Sequence, residues 1–214
     1  MTVGARGRGT GRKRTRWAVG GGVALYLAVV LAVVVAVLMP AARRMWYGEP
    51  YPTADPDVTA ERLQDRSRWA YDLLDLPEPV TEAWNFVEDG SCQHRGYQYL
   101  AHWDEPVEGV IGLEHSWGVD GIEENTARAA LGRLRGRLES EGWKPTHDLG
   151  RESARSTSLN FWHLHPKSGL KVNARWHDSR KGLFVSFHAP CARIPDGHPR
   201  KDEPTHFWHP DGPF

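Results

Sequence analysis

Two histidines one residue apart, in His163-Leu164-His165, are placed by type and spacing to do chemistry. On an extended strand they project from one side, about 6.5–7 Å apart along the chain. Imidazoles at that spacing can ligate a metal or carry a proton near pH 6–7. Asn173, Arg175 and His188 lie on neighbouring strand-like runs. If all five share one sheet face, His163, His165, Asn173, Arg175 and His188 form a candidate binding face. No carboxylate is expected on it. The strand carrying Asn173 separates His163 from His188 by two strand spacings, about 9–10 Å. That is wide for one ion, so the face reads as a hydrated or partner-binding surface with no resident metal or cofactor.

The face depends on three strands, Leu159–His165, Leu170–His177 and Leu183–Ala189, joined by Lys167-Ser168-Gly169 and Ser179-Arg180-Lys181-Gly182. A three-residue first loop pairs Trp162 with Ala174 and Leu164 with Val172. A short second turn sets Val172 near Ala189, Ala174 near Phe187 and Trp176 near Val185. One face is then continuously apolar, whereas a one-residue slip would mix Lys171 and Arg175 into it.

Other elements must cover that apolar face. A helix is predicted from residue 58 to about Leu76, capped by Asp57 or Thr59 and stopped by Pro77 and Pro79. A second runs from about Gly121 to Glu141. Its stripe is Ala127, Ala130, Leu131, Leu134 and Leu138, its start a capping-box-like Asp120 and Glu123, its end Gly142-Trp143. Arg128, Arg133, Arg135 and Arg137 fall largely on its solvated side. Between the helices, Ser91–Trp103 and Val110–Trp117 read as a strand hairpin. The order α-β-β-α-β-β-β predicts an α+β domain of two layers, an antiparallel sheet with both helices on one face.

Catalytic signatures are missing. There is no G-x-S-x-G, H-E-x-x-H or phosphate-binding glycine loop. Ser168-Gly169-Leu170-Lys171 matches S-x-x-K, but it lies in a hairpin turn where that nucleophile motif requires a helix start. His198, His206 and His209 sit among prolines near the end and suggest only adventitious metal binding.

The N-terminal part decides location. Residues 17–39 carry no charge and are mostly Val, Ala and Leu. As a helix they extend about 34 Å, enough to cross a hydrocarbon core of ~30 Å. Arg6, Arg8, Arg12, Lys13, Arg14 and Arg16 precede the run, and only Arg43 and Arg44 follow before the first acid, Glu49. That bias predicts a cytoplasmic N-terminus and an exported remainder. The run exceeds a signal-peptide core and lacks an A-x-A site at its end, so a retained signal-anchor is expected. The resulting map is a basic tail (1–16), a transmembrane helix (17–39), a Pro-rich stalk (40–57), the extracytoplasmic domain (58–192) and a Pro-rich disordered tail (193–214).

The zero net charge conceals an asymmetry. Beyond residue 44 the chain has 19 basic and 27 acidic residues, which argues against a nucleic-acid partner. Cys92 and Cys191 are the only cysteines and both lie beyond the span. In an oxidising compartment they are expected to form a disulfide.

Trp84, Ser91-Cys92, Trp117, the alanine/leucine helix closing on Gly142-Trp143, Gly169 and Ala189-Pro190-Cys191 resemble a pattern in actinobacterial membrane-anchored and lipoprotein-type exported proteins, including the mycobacterial LppA-like lipoproteins. The resemblance covers residues 58–192. It implies an α/β layer, a disulfide and a cell-envelope location, and no catalytic residues. This chain differs in having an apolar anchor where those proteins have a lipidated cysteine. The expected role is therefore non-catalytic binding of an envelope protein, wall polymer or small ligand by a protein held in the lipid bilayer. An envelope enzyme using the histidine face and a structural subunit of a membrane complex are the alternatives.

Overall fold

The computed structural model describes residues 15–77, 79, 84–146 and 159–201. The chain divides into two compact units, one containing the N-terminal helix and Arg95–Ala101, the other Pro50–His94 and the chain from His102 onward.

In the first unit, α1 (Thr15–Tyr47) is continuous through Pro40. The helix therefore extends well past Met39, and the expected stalk shrinks to the residues between Tyr47 and Pro56. The helix ends instead on Gly48 (φ +70°), whose N–H donates to Arg44 O at 2.8 Å, and the ring of Pro40 removes one hydrogen bond without ending it. From Ala24 onward α1 is long and apolar enough to cross a membrane. Its Leu25, Leu31 and Val37 are exposed. The returning segment Arg95–Ala101, with the single turn α3 (Gln98–Ala101), packs on the end of this helix. Tyr97 N–H donates to Met45 O at 3.0 Å, and Arg95 Nη1 donates to Glu49 O at 3.1 Å. Gly96 has φ +62°, and a Cβ there would lie 2.5 Å from Gly48 N and 2.6 Å from Met45 O. Such an approach requires glycine. It also explains why the strand expected from Ser91 to Trp103 stops at Gln93.

The second unit is the α+β domain. α2 (Pro56–Leu74) is capped by Asp55, whose carboxylate accepts from Asp57 N and Val58 N, rather than by Asp57 or Thr59. Pro56 fits the first helical position, where no N–H is needed. Strands β1 (Phe86–Gln93), β2 (Pro106–Val119), β4 (Leu159–Leu164), β5 (Lys171–His177) and β6 (Gly182–His188), with the short β3 (Lys144–Pro145) and β7 (Ala192–Arg193), form one sheet. Its order is β1-β2-β6-β5-β4-β3, with β7 also paired to β2, and every pairing is antiparallel.

α2 and α4 (Glu124–Ser140) cover one face. The α4 stripe Ala127, Ala130, Leu131, Leu134 and Leu138 is buried as expected. The capping box is not formed: Glu123 takes the cap position without a side-chain bond, and Asp120 instead accepts from Trp84 Nε1 at 3.4 Å. The C-terminus does close on Gly142 (φ +88°). Gly142 N–H donates to Glu139 O and Trp143 N–H to Leu138 O, each at 3.0 Å, the paired bonds of a Schellman motif. Trp117, Trp176, Val185 and Phe187 form the sheet side of the core, and Trp176 Nε1 donates to Ile122 O at 2.8 Å.

Cys92 and Cys191 form the expected disulfide, with Cα atoms 6.1 Å apart and a separation of 99 positions in sequence. The bridge lies over Gly112 and ties the end of β1 to the chain entering β7. The following residues are ordered, contrary to the expected disordered tail. Arg193 N–H donates to Pro52 O at 2.7 Å and Ile194 N–H to Gly109 O at 2.9 Å. Ile194 is buried, so this short segment joins the domain; residues 202–214 lie outside those described.

Closing a loop of about 100 residues restricts the unfolded chain by about 4–5 kcal/mol. The Cys92→Ala/Cys191→Ala protein should therefore unfold at lower urea than the parent, by about 2–5 kcal/mol. An unchanged midpoint would show that the bridge adds nothing to stability.

Candidate functional site

The expected five-residue histidine face does not exist as a unit. In the first hairpin Trp162 pairs with Asn173, His163 with Val172 and Phe161 with Ala174, a slip of one residue from the expected register. Pro166 has no N–H for the ladder, and the loop includes it. His165 N–H donates to Leu170 O at 2.8 Å, closing a four-residue turn in which His165 Nδ1 accepts from Ser168 N. Since side chains alternate, the slip reverses β4.

Phe161 and His163 consequently face the helices. His163 is buried, with Nε2 3.4 Å from Glu139 Oε1 on α4, and Arg135 lies over the Phe161 ring at 5.0 Å. Burial depresses the His163 pKa, opposed by Glu139. His165 packs on Trp143 at 5.3 Å between ring centres. Asn173, Arg175 and His188 keep the open face. Asn173 is only 6% exposed, because Trp162 is its cross-strand partner and its amide donates to Asn160 Oδ1 and Phe161 O. The second hairpin is shifted by two residues, pairing Val172 with Phe187 and Ala174 with Val185. An even shift leaves the faces of β5 and β6 as expected.

The open face also carries carboxylates, contrary to expectation, because β2 pairs with β6. Glu114 stands opposite His188 and next to Glu88 of β1. His188 Nδ1 is 3.0 Å from Glu114 Oε2, Ser116 Oγ donates to Glu114 Oε1 at 2.8 Å, and Ser116 and Ser186 share a 2.7 Å bond. Trp162 stacks on His188 at 5.3 Å. Burial raises the Glu114 pKa, but the hydrogen bond and charge of His188 and the two serine hydroxyls bring the net shift below the ordinary carboxylate value. Glu88 shifts the opposite way, raised by burial and by the Glu114 charge. These glutamates were not legible as site residues because nothing in the local pattern says which strand adjoins which.

Next to them is a groove of about 350 Å³ lined by Trp84, Phe86, Glu88, Glu114, Arg175 and Phe184, among others. Phe184 forms a wall because Gly118 leaves room for it; a Cβ there would lie 2.6 Å from the ring. Trp84 meets Phe184 edge-on at 5.5 Å. Arg175 lies 5.8 Å above the Phe184 ring and Arg180 5.8 Å above the Trp84 ring. Arg175 is the one residue of the expected face that enters the groove. The whole offers aromatic surface, serine hydroxyls and charges of both signs within one cleft.

Comparison with protein-family models, curated proteins and solved structures matches nothing.

On the covered face, His115 is fully buried with Nδ1 2.7 Å from Ser67 Oγ of α2. Burial pushes its pKa down to about 4. An unfolded chain protonates histidine near ~6.5, so between these values the unfolded state takes up a proton that the native state refuses. Stability is then complete above about pH 6.5 and falls as pH drops toward 4, by roughly 3 kcal/mol in all. Urea unfolding should show a lower midpoint at pH 5.0 than at pH 7.5, and a smaller difference in His115→Asn. An equal difference in the variant would remove His115 as a cause.

Proposed function

We propose that this chain is a single-pass membrane-anchored cell-envelope protein whose extracytoplasmic domain is a non-catalytic binding module. Its binding site is the groove on the open sheet face. The observation that carries this reading is the groove itself: aromatic walls beside hydroxyls and an exposed arginine, on the sheet face that α2 and α4 leave uncovered. Its volume falls in the ~300–1,000 Å³ range of small-ligand sites. It suits one ring-bearing polar unit, such as a sugar of a wall polymer, better than a protein surface.

The anchor reading rests on the first unit. Exposed Val and Leu side chains along α1 are poorly suited to water and well suited to lipid. Around its C-terminal end the same unit exposes Trp46, Tyr47, Tyr97, Tyr99 and Leu100. Amphipathic rings at one end of a spanning helix are the composition of a membrane–water interface, and Arg43 and Arg44 can extend toward headgroups. The resemblance to LppA-like exported proteins points to the same compartment.

One observation favours an enzyme as the second reading. Glu88 and Glu114 are adjacent in the sheet and pushed apart in pKa, as in acid–base pairs. Both Glu114 oxygens are committed to Ser116 and His188, which leaves Glu88 as the acid.

In membranes, the protein should stay in the pellet after an alkaline carbonate wash; release to the supernatant would contradict the anchor. In co-sedimentation with insoluble wall polymer, Arg175→Ala and Phe184→Ala should each weaken binding by about tenfold or more. Wild-type binding by both variants would remove the groove from the account. Wall-polymer turnover abolished by Glu88→Gln would replace the binding reading with the enzymatic one.

A further inference from the structure

Where β1 leaves the sheet and β2 enters it, His94, His102 and Glu105 bring one ligand atom each to within 4.8 Å of one another. The imidazole rings of His94 and His102 are 4.9 Å apart, inclined by 35°, and His102 Nδ1 is 2.8 Å from Glu105 Oε2. Both histidines are half-buried and Glu105 is exposed. The cluster lies wholly within the α+β domain and apart from the groove.

We infer that His94, His102 and Glu105 form a binding site for a divalent transition-metal ion of the zinc class. Two imidazole nitrogens and a carboxylate oxygen are borderline donors that suit zinc, whereas calcium and magnesium take oxygen ligands. Bonds of about 2.0–2.2 Å to a tetrahedral ion put ligand atoms roughly 3.4 Å apart. The three atoms lie within 4.8 Å of one another, so rotation of the exposed Glu105 side chain and small turns of the two imidazoles would bring them to that spacing. Among the described residues Glu105 has no Lys or Arg ion pair, so no cation competes for the carboxylate. Three protein ligands leave a fourth position for water or for a donor from a ligand.

The positions of the ligands have a structural consequence. His94 is two residues beyond the disulfide-bonded Cys92, and Glu105 directly precedes β2. An ion would therefore join the chain leaving β1 to the chain entering β2. It would reinforce the pairing of Gln93 with Pro106 that already brings the two chains together.

The other convergent cluster among the described residues is different. Asp55, Asp57 and His198 also converge, but Asp55 caps α2 and Asp57 accepts from Arg200 Nε at 2.7 Å. Those carboxylates already have partners, including a cation, so this cluster serves as the internal control.

The test uses the full chain in detergent micelles, without a histidine tag, stripped by chelator and titrated with cobalt(II) and then zinc(II). The expected result is one equivalent of cobalt with the visible absorption of a four-coordinate site, displaced by zinc. His94→Ala, His102→Ala and Glu105→Gln should each weaken zinc binding by at least about tenfold, and Asp57→Asn should leave it unchanged. Near-UV circular dichroism checks that the variants are folded, and His94→Gln replaces any alanine variant that is not. Absence of stoichiometric uptake by the parent would overturn the assignment. So would unchanged uptake in folded His94 and His102 variants, or loss confined to Asp57→Asn. Failure of membrane retention or of groove binding leaves these outcomes unaffected, so the proposals stand or fall separately.

Discussion

One-sided burial of the antiparallel sheet is the constraint on which the rest of the domain depends. α2 and α4 cover one face, so alternate residues of each strand must be apolar or internally satisfied there. The odd-numbered residues of β2, β4 and β6 and the even-numbered residues of β5 meet this demand: Leu113, Trp117, Phe161, Val172, Ala174, Trp176, Val185 and Phe187 are buried. Two histidines occupy the same layer, His115 against Ser67 and His163 against Glu139. The alternate residues face outward, and a subset of them, including Glu88, Glu114, Arg175 and Phe184, lines the groove.

Parity also explains which parts of the site were legible in the sequence. The α4 stripe, its Gly142-Trp143 end, the three C-terminal strands and the cysteine pair each depend on local pattern or elimination, and each is found where expected. The face of β5 and β6 was also legible, because a register error of two residues preserves parity. The face of β4 was not. A single proline in the turn changes a three-residue loop to four and carries His163 from the open face to the core. Apolarity could not arbitrate, since Phe161, Trp162 and Leu164 make β4 apolar on both sides. Glu88, Glu114 and the trio His94, His102 and Glu105 depend on contacts between strands or across an excursion, which no local periodicity encodes.

The covalent and helical boundaries of the domain address a different problem. β1 lies at the edge of the sheet, and its far end gives way to the excursion that carries α3. The disulfide from Cys92 to Cys191 holds that end where the β1–β2 register shifts between Ser91 and Gln93, and the chain after it adds β7 and the buried Ile194. In the first unit, Gly48 and Gly96 permit a backbone approach that places Tyr97, Tyr99 and Leu100 with Trp46 and Tyr47.

The turn at Pro166 fixes β4 with His163 inside and Trp162 outside, and so defines the open face. Hydroxyl-radical footprinting of the native full chain, read by mass spectrometry at single residues, tests it most directly. Trp162 and Phe184 should be modified, and Phe161, His163 and His115 protected. Modification of Phe161 and His163 with protection of Trp162 would contradict it, and would restore a continuous histidine face in place of the groove described.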